Sequence, residues 1–186
     1  MTAADAAAED QALVARAARG DQHAFDQLVR RHTPRLYRVA LRIVRDPAEA
    51  EDVVQDAWIA AWRALARFRG DSAPSTWLYR VVTNTALAHL RRRRQTLPLA
   101  EDFEQTQADP RDDGPERSAL RGEEVALVLR AVATLEPAQR IPLVLHELEG
   151  MSYEEVAEIV GSTVPALRSR LHRARVALLG KLRELQ

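Results

Sequence analysis

Apolar residues recur at helical spacing along most of the chain, and the alternation typical of β-strands is nearly absent. Leu28, His32 and Leu36 follow a three–four spacing, which places them on one face of a helix. The chain is therefore predicted to be all-α. Similar apolar stripes run through residues 53–65, 77–90 and 120–132.

The local signals for helix ends agree with this pattern. A helix is predicted to begin at Asp46-Pro47, because Asp is a favourable N-cap and Pro fits the first helical turn. Its apolar stripe includes Trp58 and Trp62, which we expect in the core. Pro142 lies inside a later predicted helix, and since proline has no backbone N–H, we expect a kink or a late start there.

A segment without apolar periodicity divides the chain. Residues 95–118 contain three prolines, a glycine and many acids. This composition is typical of an extended, flexible linker, and its length indicates a domain boundary. We predict two small helical domains with an N-terminal extension and first helix at 1–20, a first domain at 21–94, an acidic linker at 95–118 and a second domain at 119–186.

A net charge of zero conceals a strong separation of charge along the chain. Residues 21–94 hold 14 bases and 8 acids, whereas residues 95–124 hold 3 bases and 9 acids. Residues 165–183 carry six bases and no acid. A GC-rich coding bias explains why nearly all bases are arginine, but it does not explain the clustering. Clustered bases indicate surfaces for an anionic polymer.

What the sequence lacks excludes several classes of protein. Without cysteine, the chain has no disulfide framework, thiolate nucleophile or Cys-ligated zinc site. The five histidines are scattered, and neither a phosphate-binding loop nor a His-Glu-x-x-His motif occurs. We therefore predict a protein that is not an enzyme and has no metal or cofactor.

The distribution of charged residues indicates whether the chain can span a membrane or carries a signal peptide. The longest run without a charged residue is ten residues, whereas a membrane-spanning helix needs about 20 apolar ones. Acids stand near the N-terminus, where a signal peptide carries bases. We expect a soluble cytoplasmic protein with no direct membrane insertion.

The most specific local pattern lies near the C-terminus. Ser152 and Glu155 have capping-box spacing at the start of a short helix, Gly161 ends it, and Thr163 can cap the next helix. This is helix-turn-helix spacing, in which the second helix enters the major groove of DNA. Guanidinium groups suit guanine edges and phosphates, although a solvated basic face is the alternative. The arginines projecting from the second helix are Arg168, Arg170, Arg173 and Arg175.

An aromatic residue stands among bases in an earlier helix. Trp77 is followed by Arg80 and Asn84, and the helix ends in four arginines at 91–94. Such a helix suits unpaired nucleic acid, because rings stack on bases while arginines hold phosphates. Core packing is the alternative for Trp77, and a solvated helix end, favoured by the helix dipole, is the alternative for the arginines.

A third candidate surface is acidic. Asp52, Gln55 and Asp56 share one exposed helix face at three–four spacing. That face suits a basic partner helix, and on composition alone a merely solvated face explains it equally well.

Taken in order, these features resemble the bacterial RNA polymerase sigma factors of the extracytoplasmic-function (ECF) group. The order is an acidic-faced helix, an aromatic–arginine helix, an acidic linker and a helix-turn-helix. The motifs together span about residues 21–180. They lie at residues 46–56, 68–70, 76–80 with Asn84, 90–94, 135–140, 149–157 and 168–175.

The resemblance implies an alternative sigma factor, which binds core RNA polymerase, directs it to specific promoters and helps to melt the −10 element. It implies a sigma region 2 domain at 21–94 and a region 4 domain at 119–186. The implied partners are the clamp helices of the polymerase β′ subunit, the polymerase β subunit, promoter DNA as duplex and single strand, and an anti-sigma factor.

The resemblance also assigns roles to residues of this sequence. Polymerase binding falls on Asp52, Gln55 and Asp56. Recognition and melting of the −10 element fall on Arg69, Ser75, Trp77, Arg80, Asn84, Arg91, Arg92, Arg93 and Arg94. Recognition of the −35 element falls on Arg168, Ser169, Arg170, Arg173 and Arg175.

The sequence departs from the family pattern at three places. Ala88 stands where Asp is usual, four residues after Asn84, which bears on −10 recognition. Pro165-Ala166-Leu167 stands where the turn commonly reads Gly-Thr-Val, which bears on the −35 contacts, and Pro142 is unusual in its helix.

Two other classes stay open on the residues alone. One is a free-standing helix-turn-helix regulator that binds duplex DNA without polymerase. The acidic face and the aromatic–arginine helix argue against it. The other is a helical interaction module whose arginine richness is incidental.

Overall fold

The chain folds into helices and short connections throughout the residues that the structure, a computed structural model, describes: 3–68, 70–96 and 117–184. The all-α prediction is confirmed. The core of the predicted linker, residues 97–116, lies outside the described residues, as does Arg69. The α-helices of these ranges are α1 Ala3–Ala17, α2 Gln22–Val44, α3 Pro47–Ala64, α4 Pro74–Thr96, α5 Arg117–Thr134, α6 Pro137–Leu143, α7 Tyr153–Val160 and α8 Val164–Glu184.

Helices α1 to α4 pack together as one bundle, which we call the first domain and which includes α1, outside the predicted bounds 21–94. α2 packs against α1, α3 and α4, so that the apolar stripe read from the sequence becomes the centre of the bundle. The Asp46 side chain accepts a 2.9 Å hydrogen bond from the Glu49 backbone N–H, and Pro47 is the first residue of α3, as predicted. Side chains buried here include Leu28, Leu36, Val39, Ile43, Val53, Trp58, Leu78 and Val82.

The two tryptophans of α3 differ in burial. Trp58 is buried, and its indole N–H donates to the Thr33 hydroxyl at 2.9 Å. The prediction that Trp62 lies in the core is wrong, since it is 39% exposed and rests edge-on against Phe25 with ring centroids 4.8 Å apart. Phe25 lies near the start of α2, so little of α2 remains beyond it to cover Trp62.

Helices α5 to α8 form the second domain, with α8 packed against the other three. The predicted capping box is present: the Glu155 N–H donates to the Ser152 hydroxyl, and the Ser152 N–H donates to the Glu155 carboxylate. Gly161 ends α7 at a φ of 63°, a left-handed conformation that glycine adopts without steric penalty. The buried side chains include Val132, Leu143, Leu145, Val156, Leu167 and Leu171.

Pro142 changes the helix that contains it. Because it has no N–H, the helix cannot form the usual bond to the Ala138 carbonyl. α6 ends at Leu143, and a π-helical turn, Val144–Leu148, continues the chain. The Glu149 N–H accordingly donates to the Val144 carbonyl five residues back, at 3.1 Å. The irregularity expected at Pro142 is therefore a widened turn.

A buried polar cluster attaches α1 to α2. Asp10 is 6% exposed; its carboxylate bonds the His32 ring at 2.8 Å and accepts from Arg31 at 2.7 Å. Arg31 also pairs with the more exposed Glu9 at 2.7 Å. Removing Asp10 would leave its buried neighbour unsatisfied, which is more damaging than losing an exposed pair.

We predict that Asp10→Ala lowers the free energy of unfolding by about 2 kcal/mol, the scale of a lost buried hydrogen bond to a charged group. Urea denaturation followed by circular dichroism measures this. Glu9→Ala, which removes an exposed partner of the same Arg31, should cost less than about 1 kcal/mol. Equal losses in the two variants would contradict a buried role for Asp10.

Candidate promoter and polymerase interfaces

The predicted polymerase-binding residues lie together on the outside of α3. Asp52, Gln55 and Asp56 are all exposed, and we call this surface the docking face. Asp56 stands 3.8 Å from Arg92 at the end of α4, but both side chains are more than half exposed. Such a pair contributes little in water, so the docking face stays accessible.

Sequence reasoning missed an apolar extension of the docking face. Ile59, three residues after Asp56, is 44% exposed, and Trp62 follows one turn later. An isoleucine at three–four spacing from the acids was the available signal. Ile59 and Trp62 thus add two partly exposed apolar side chains at the edge of the acidic surface.

The predicted −10 residues on α4 have unequal exposure. Ser75 and Trp77 are half-buried, and the Trp77 ring packs against Phe68 with centroids 5.1 Å apart. Arg80 is half-buried, and Asn84 is exposed. The structure thus places these four residues on one helix. Trp77, Arg80 and Asn84 share one side of it at three–four spacing, and we call this side the α4 face, whereas Ser75 lies on the other side.

The four arginines that end α4 are divided among acidic neighbours. Arg93 donates to Glu49 at 3.0 Å, within α3, and Arg94 donates to Glu136 of the second domain at 3.2 Å. Arg92 faces Asp56, and Arg91 is exposed. The Arg94–Glu136 pair is exposed, whereas the Arg93–Glu49 pair is partly buried. A phosphate can therefore replace the carboxylate most easily at Arg94.

The second domain packs directly over part of the α4 face. α7 contacts α4, and between them lies an open cavity of about 750 Å³. Its apolar side includes Leu87, Leu90 and Ile141, and its basic rim includes Arg91 and Arg170. Asn84 also lines this cavity.

A buried carboxylate lies where the two domains meet. The Glu149 side chain is 5% exposed; it accepts from Arg42 of α2 at 2.6 Å and from the Tyr79 hydroxyl of α4 at 3.2 Å. Burial, with the neighbouring Glu149 charge, raises the pKa of Tyr79 to about 12, so the phenol stays a donor. Sequence reasoning missed this contact because Glu149 is far from Arg42 and Tyr79 in the sequence.

The arginines of α8 mostly face solvent. Arg168, Ser169, Arg173 and Arg175 are exposed, whereas Arg170 is half-buried beside the interdomain cavity. The Arg168 guanidinium stands over the Tyr153 ring, 5.1 Å from its centroid, which orients it by a cation–π contact.

Arg175 is held more firmly than its neighbours. Its guanidinium donates to Glu147 at 2.6 and 2.9 Å. Hydrogen bonding to Tyr153 and then to Glu147 raises the pKa of Arg175, so its charge is secure. Arg173 is exposed near the middle of α8, and its charge faces solvent.

Two searches for other chemistry gave negative results within the described ranges. No group of three or more His, Cys, Asp or Glu residues lies close enough together there to hold a metal ion. None of the helices described combines the length and apolar character needed to cross a membrane.

Comparison with protein families matches both domains. Residues 28–96 match Sigma-70 region 2, and residues 126–178 match Sigma-70 region 4. The chain is 44% identical to the RNA polymerase sigma-H factor of Pseudomonas aeruginosa, over 91% of this chain and 92% of that protein. It is 40% identical to the ECF RNA polymerase sigma-E factor of Escherichia coli K12, over 95% of each.

Solved structures share the arrangement. CnrH, solved in complex with the cytosolic domain of CnrY, has a TM-score of 0.69 and 31% identity, over 95% of this chain and 98% of that one. The sigma factor RpoE from Bartonella quintana, solved with the anti-sigma factor NepR, has a TM-score of 0.69 and 27% identity, over 86% of this chain and 96% of that one. With both domains matched and more than nine-tenths of the chain aligned to curated relatives, the chain belongs to the ECF sigma factors of bacterial RNA polymerase.

Proposed function

We propose that this ECF sigma factor divides its work among three surfaces: the docking face of α3 for core RNA polymerase, the α4 face for the −10 element, and α8 for the −35 element. The domain boundaries we assign are 21–94 for region 2 and 119–186 for region 4. The observation that carries the proposal is that three different helices each present exposed polar side chains, among them Asp52 on α3, Asn84 on α4 and Arg173 on α8.

The docking face suits a basic partner helix. Its exposed side chains, Asp52, Gln55 and Asp56, point away from the α2–α4 core. We assign its partner as the β′ clamp helices of core polymerase. Ile59 would add apolar contact area at the edge of this acidic patch.

The α4 face suits single-stranded DNA. A ring at Trp77, an amide at Asn84 and the arginines of its last turns provide stacking, base-edge and phosphate contacts in sequence. The phosphate contacts fall on Arg91, Arg92, Arg93 and Arg94 in this proposal. Ser75, in the first turn of α4, and Arg69, which lies outside the described residues, are assigned to the same −10 element.

The α8 helix suits duplex DNA. Arg168 and Arg173 project from its exposed side, and arginine forks suit both guanine edges and phosphates. In the free chain Arg170 lines the interdomain cavity and Arg175 is paired with Glu147. In this proposal both contribute to DNA binding once DNA replaces those neighbours. Ser169 lies between Arg168 and Arg170.

Other properties follow from the family. We propose that the polymerase supplies all catalysis and that this chain contributes binding alone, in the cytoplasm. An anti-sigma factor is the proposed regulator, by analogy with the similar RpoE that was solved with NepR. The β subunit is the proposed contact for region 4.

The first test is co-elution with bacterial core RNA polymerase. We expect Asp52→Arg/Gln55→Ala to weaken core binding by about tenfold or more, because reversing a charge at the centre of an interface is among the most damaging changes. Size-exclusion chromatography with quantified bands measures it.

A matched control makes the same two changes on α2: Asp26→Arg/Gln22→Ala, at two exposed positions of another helix. It should co-elute like the wild type. If well-folded wild type itself fails to co-elute, the proposal that this chain acts by binding core polymerase is overturned, and a free-standing DNA-binding regulator is favoured instead.

A second test separates promoter opening from polymerase binding. Asn84→Ala should reduce open-complex formation by roughly tenfold, the scale of one lost base-edge contact, while leaving core binding unchanged. The substrate is a promoter fragment selected by the holoenzyme from random duplexes, with 2-aminopurine fluorescence reporting strand separation.

Thr85→Ala is the control for the Asn84 variant. It removes a polar side chain from the next position of α4, where the hydroxyl donates to the Val81 carbonyl of its own helix. Open-complex formation should be retained. Equal loss of core binding and opening in Asn84→Ala would contradict a role for Asn84 in melting.

A further inference from the structure

The basic end of α4 has no buried anchor of its own. Of residues 87–95, none is fully buried, whereas the preceding turns of the helix bury Val82 and Ala86. These residues include four consecutive arginines, whose like charges repel one another. A helix end with little burial and strong internal repulsion is expected to fray. Contacts other than core packing are therefore needed to hold it in place.

Glu49 of α3 makes such a contact. Its Oε2 accepts a 3.0 Å hydrogen bond from the Arg93 guanidinium, and the His89 Nε2 lies 3.3 Å from the same oxygen. His89 and Arg93 are four residues apart on α4 and share one side of it. One carboxylate of α3 thus holds two successive turns of the basic helix end.

Glu49 is better shielded from water than the other acids at this helix end. Its side chain is 26% exposed, compared with 54% and 75% for the carboxylates that face Arg92 and Arg94. It also stands in the first turn of α3, where the helix dipole favours an anion. Partly buried ion pairs are screened less than exposed ones. The Glu49–Arg93 pair is therefore expected to persist when a DNA phosphate competes for the arginines.

We propose that Glu49 is a positioning residue for the DNA backbone contacts of region 2. By holding His89 and Arg93 against α3, it keeps the last turns of α4 ordered, so that the exposed Arg91 and Arg94 meet phosphates from a fixed helix. This inference rests on the proposed function of the α4 arginines. It goes beyond that function because it assigns a role in DNA binding to an acid that itself contacts no DNA.

The sign of the effect separates this role from simple electrostatics. An acid close to DNA repels phosphates, so neutralising it should strengthen promoter binding if charge alone mattered. If Glu49 positions the arginines, the same change should weaken binding, because a mobile helix end must be ordered at a cost in entropy when it meets the phosphates.

The first measurement is equilibrium binding of promoter DNA to preassembled holoenzyme at several salt concentrations. The fragment is the one that the wild-type holoenzyme selects from random duplexes. For Glu49→Gln we expect binding to weaken by about tenfold. The salt dependence should also fall, since the loss of two phosphate contacts lowers the slope of log K against log salt by about 1.5.

A spin label provides the second measurement. Gln95→Cys places a nitroxide at an exposed position in the last turn of α4, and the chain has no other cysteine to react. In the full-length wild type, the electron paramagnetic resonance spectrum should show a label of restricted mobility. Glu49→Gln should give narrower lines, which indicate a more mobile helix end.

Two variants serve as controls. Glu51→Gln removes the same charge from an exposed position two residues along α3. It should leave the salt slope and the label spectrum as in the wild type. Glu49→Asp keeps the charge on a side chain one methylene shorter, and it should bind the promoter more tightly than Glu49→Gln.

A double-variant cycle tests the route of the effect. Because Glu49 acts largely through Arg93, combining Glu49→Gln with Arg93→Gln should cost little more than Arg93→Gln alone. Additive losses would overturn the proposal. Unchanged or tighter promoter binding by Glu49→Gln would also overturn it, as would weaker binding with an unchanged salt slope and label spectrum.

The proposed function of the helix end fails separately. Arg91→Gln/Arg94→Gln, with Glu49 intact, should weaken promoter binding by the holoenzyme. If this variant binds the promoter like the wild type, the assignment of the α4 arginines to the DNA backbone fails. If it binds weakly while Glu49→Gln binds normally, only the positioning role fails.

Discussion

The buried carboxylate of Glu149 determines how the two halves of this protein meet. A charge that is 95% removed from solvent must be paired and hydrogen-bonded, and its donors, Arg42 and Tyr79, come from two different helices of the other domain. Satisfying it therefore fixes the second domain over α2 and α4 together. Two more exposed ion pairs, Arg80 with Glu158 and Arg94 with Glu136, also connect the two domains.

The local backbone conformation places Glu149 where it can contact Arg42 and Tyr79. Pro142 lacks the N–H that a regular helix needs, and the widened turn Val144–Leu148 follows it. The turn ends directly at Glu149, and the capping box of Ser152 and Glu155 begins the next helix three residues on. A departure from the family pattern, Pro142, thus lies close in sequence to the residue at which the second domain contacts the first.

One residue can contribute both to a helix cap and to the contact between the domains. Glu155 caps α7 and at the same time accepts a hydrogen bond from Thr76 of α4. The arginines of α4 and α8 likewise have acidic neighbours in the free chain, Glu49 and Glu147 among them. Carboxylates thus stand beside arginines that we assign to DNA, and because solvent-exposed ion pairs are weak in water, such carboxylates can exchange for other anions.

The sequence by itself determined the helices, the caps at Asp46 and Ser152, the turn at Gly161 and the membership of the family, because each depends on residues within a few positions of one another or on motif order. It also located the candidate surfaces, although their individual roles stay predictions. Only the tertiary structure decided that Trp62 lies at the surface and that Arg80 faces Glu158, 78 residues away. A periodic stripe marks which face of a helix turns inward, but how far a neighbouring helix extends, and which distant charge it brings, depends on the packing of the whole chain.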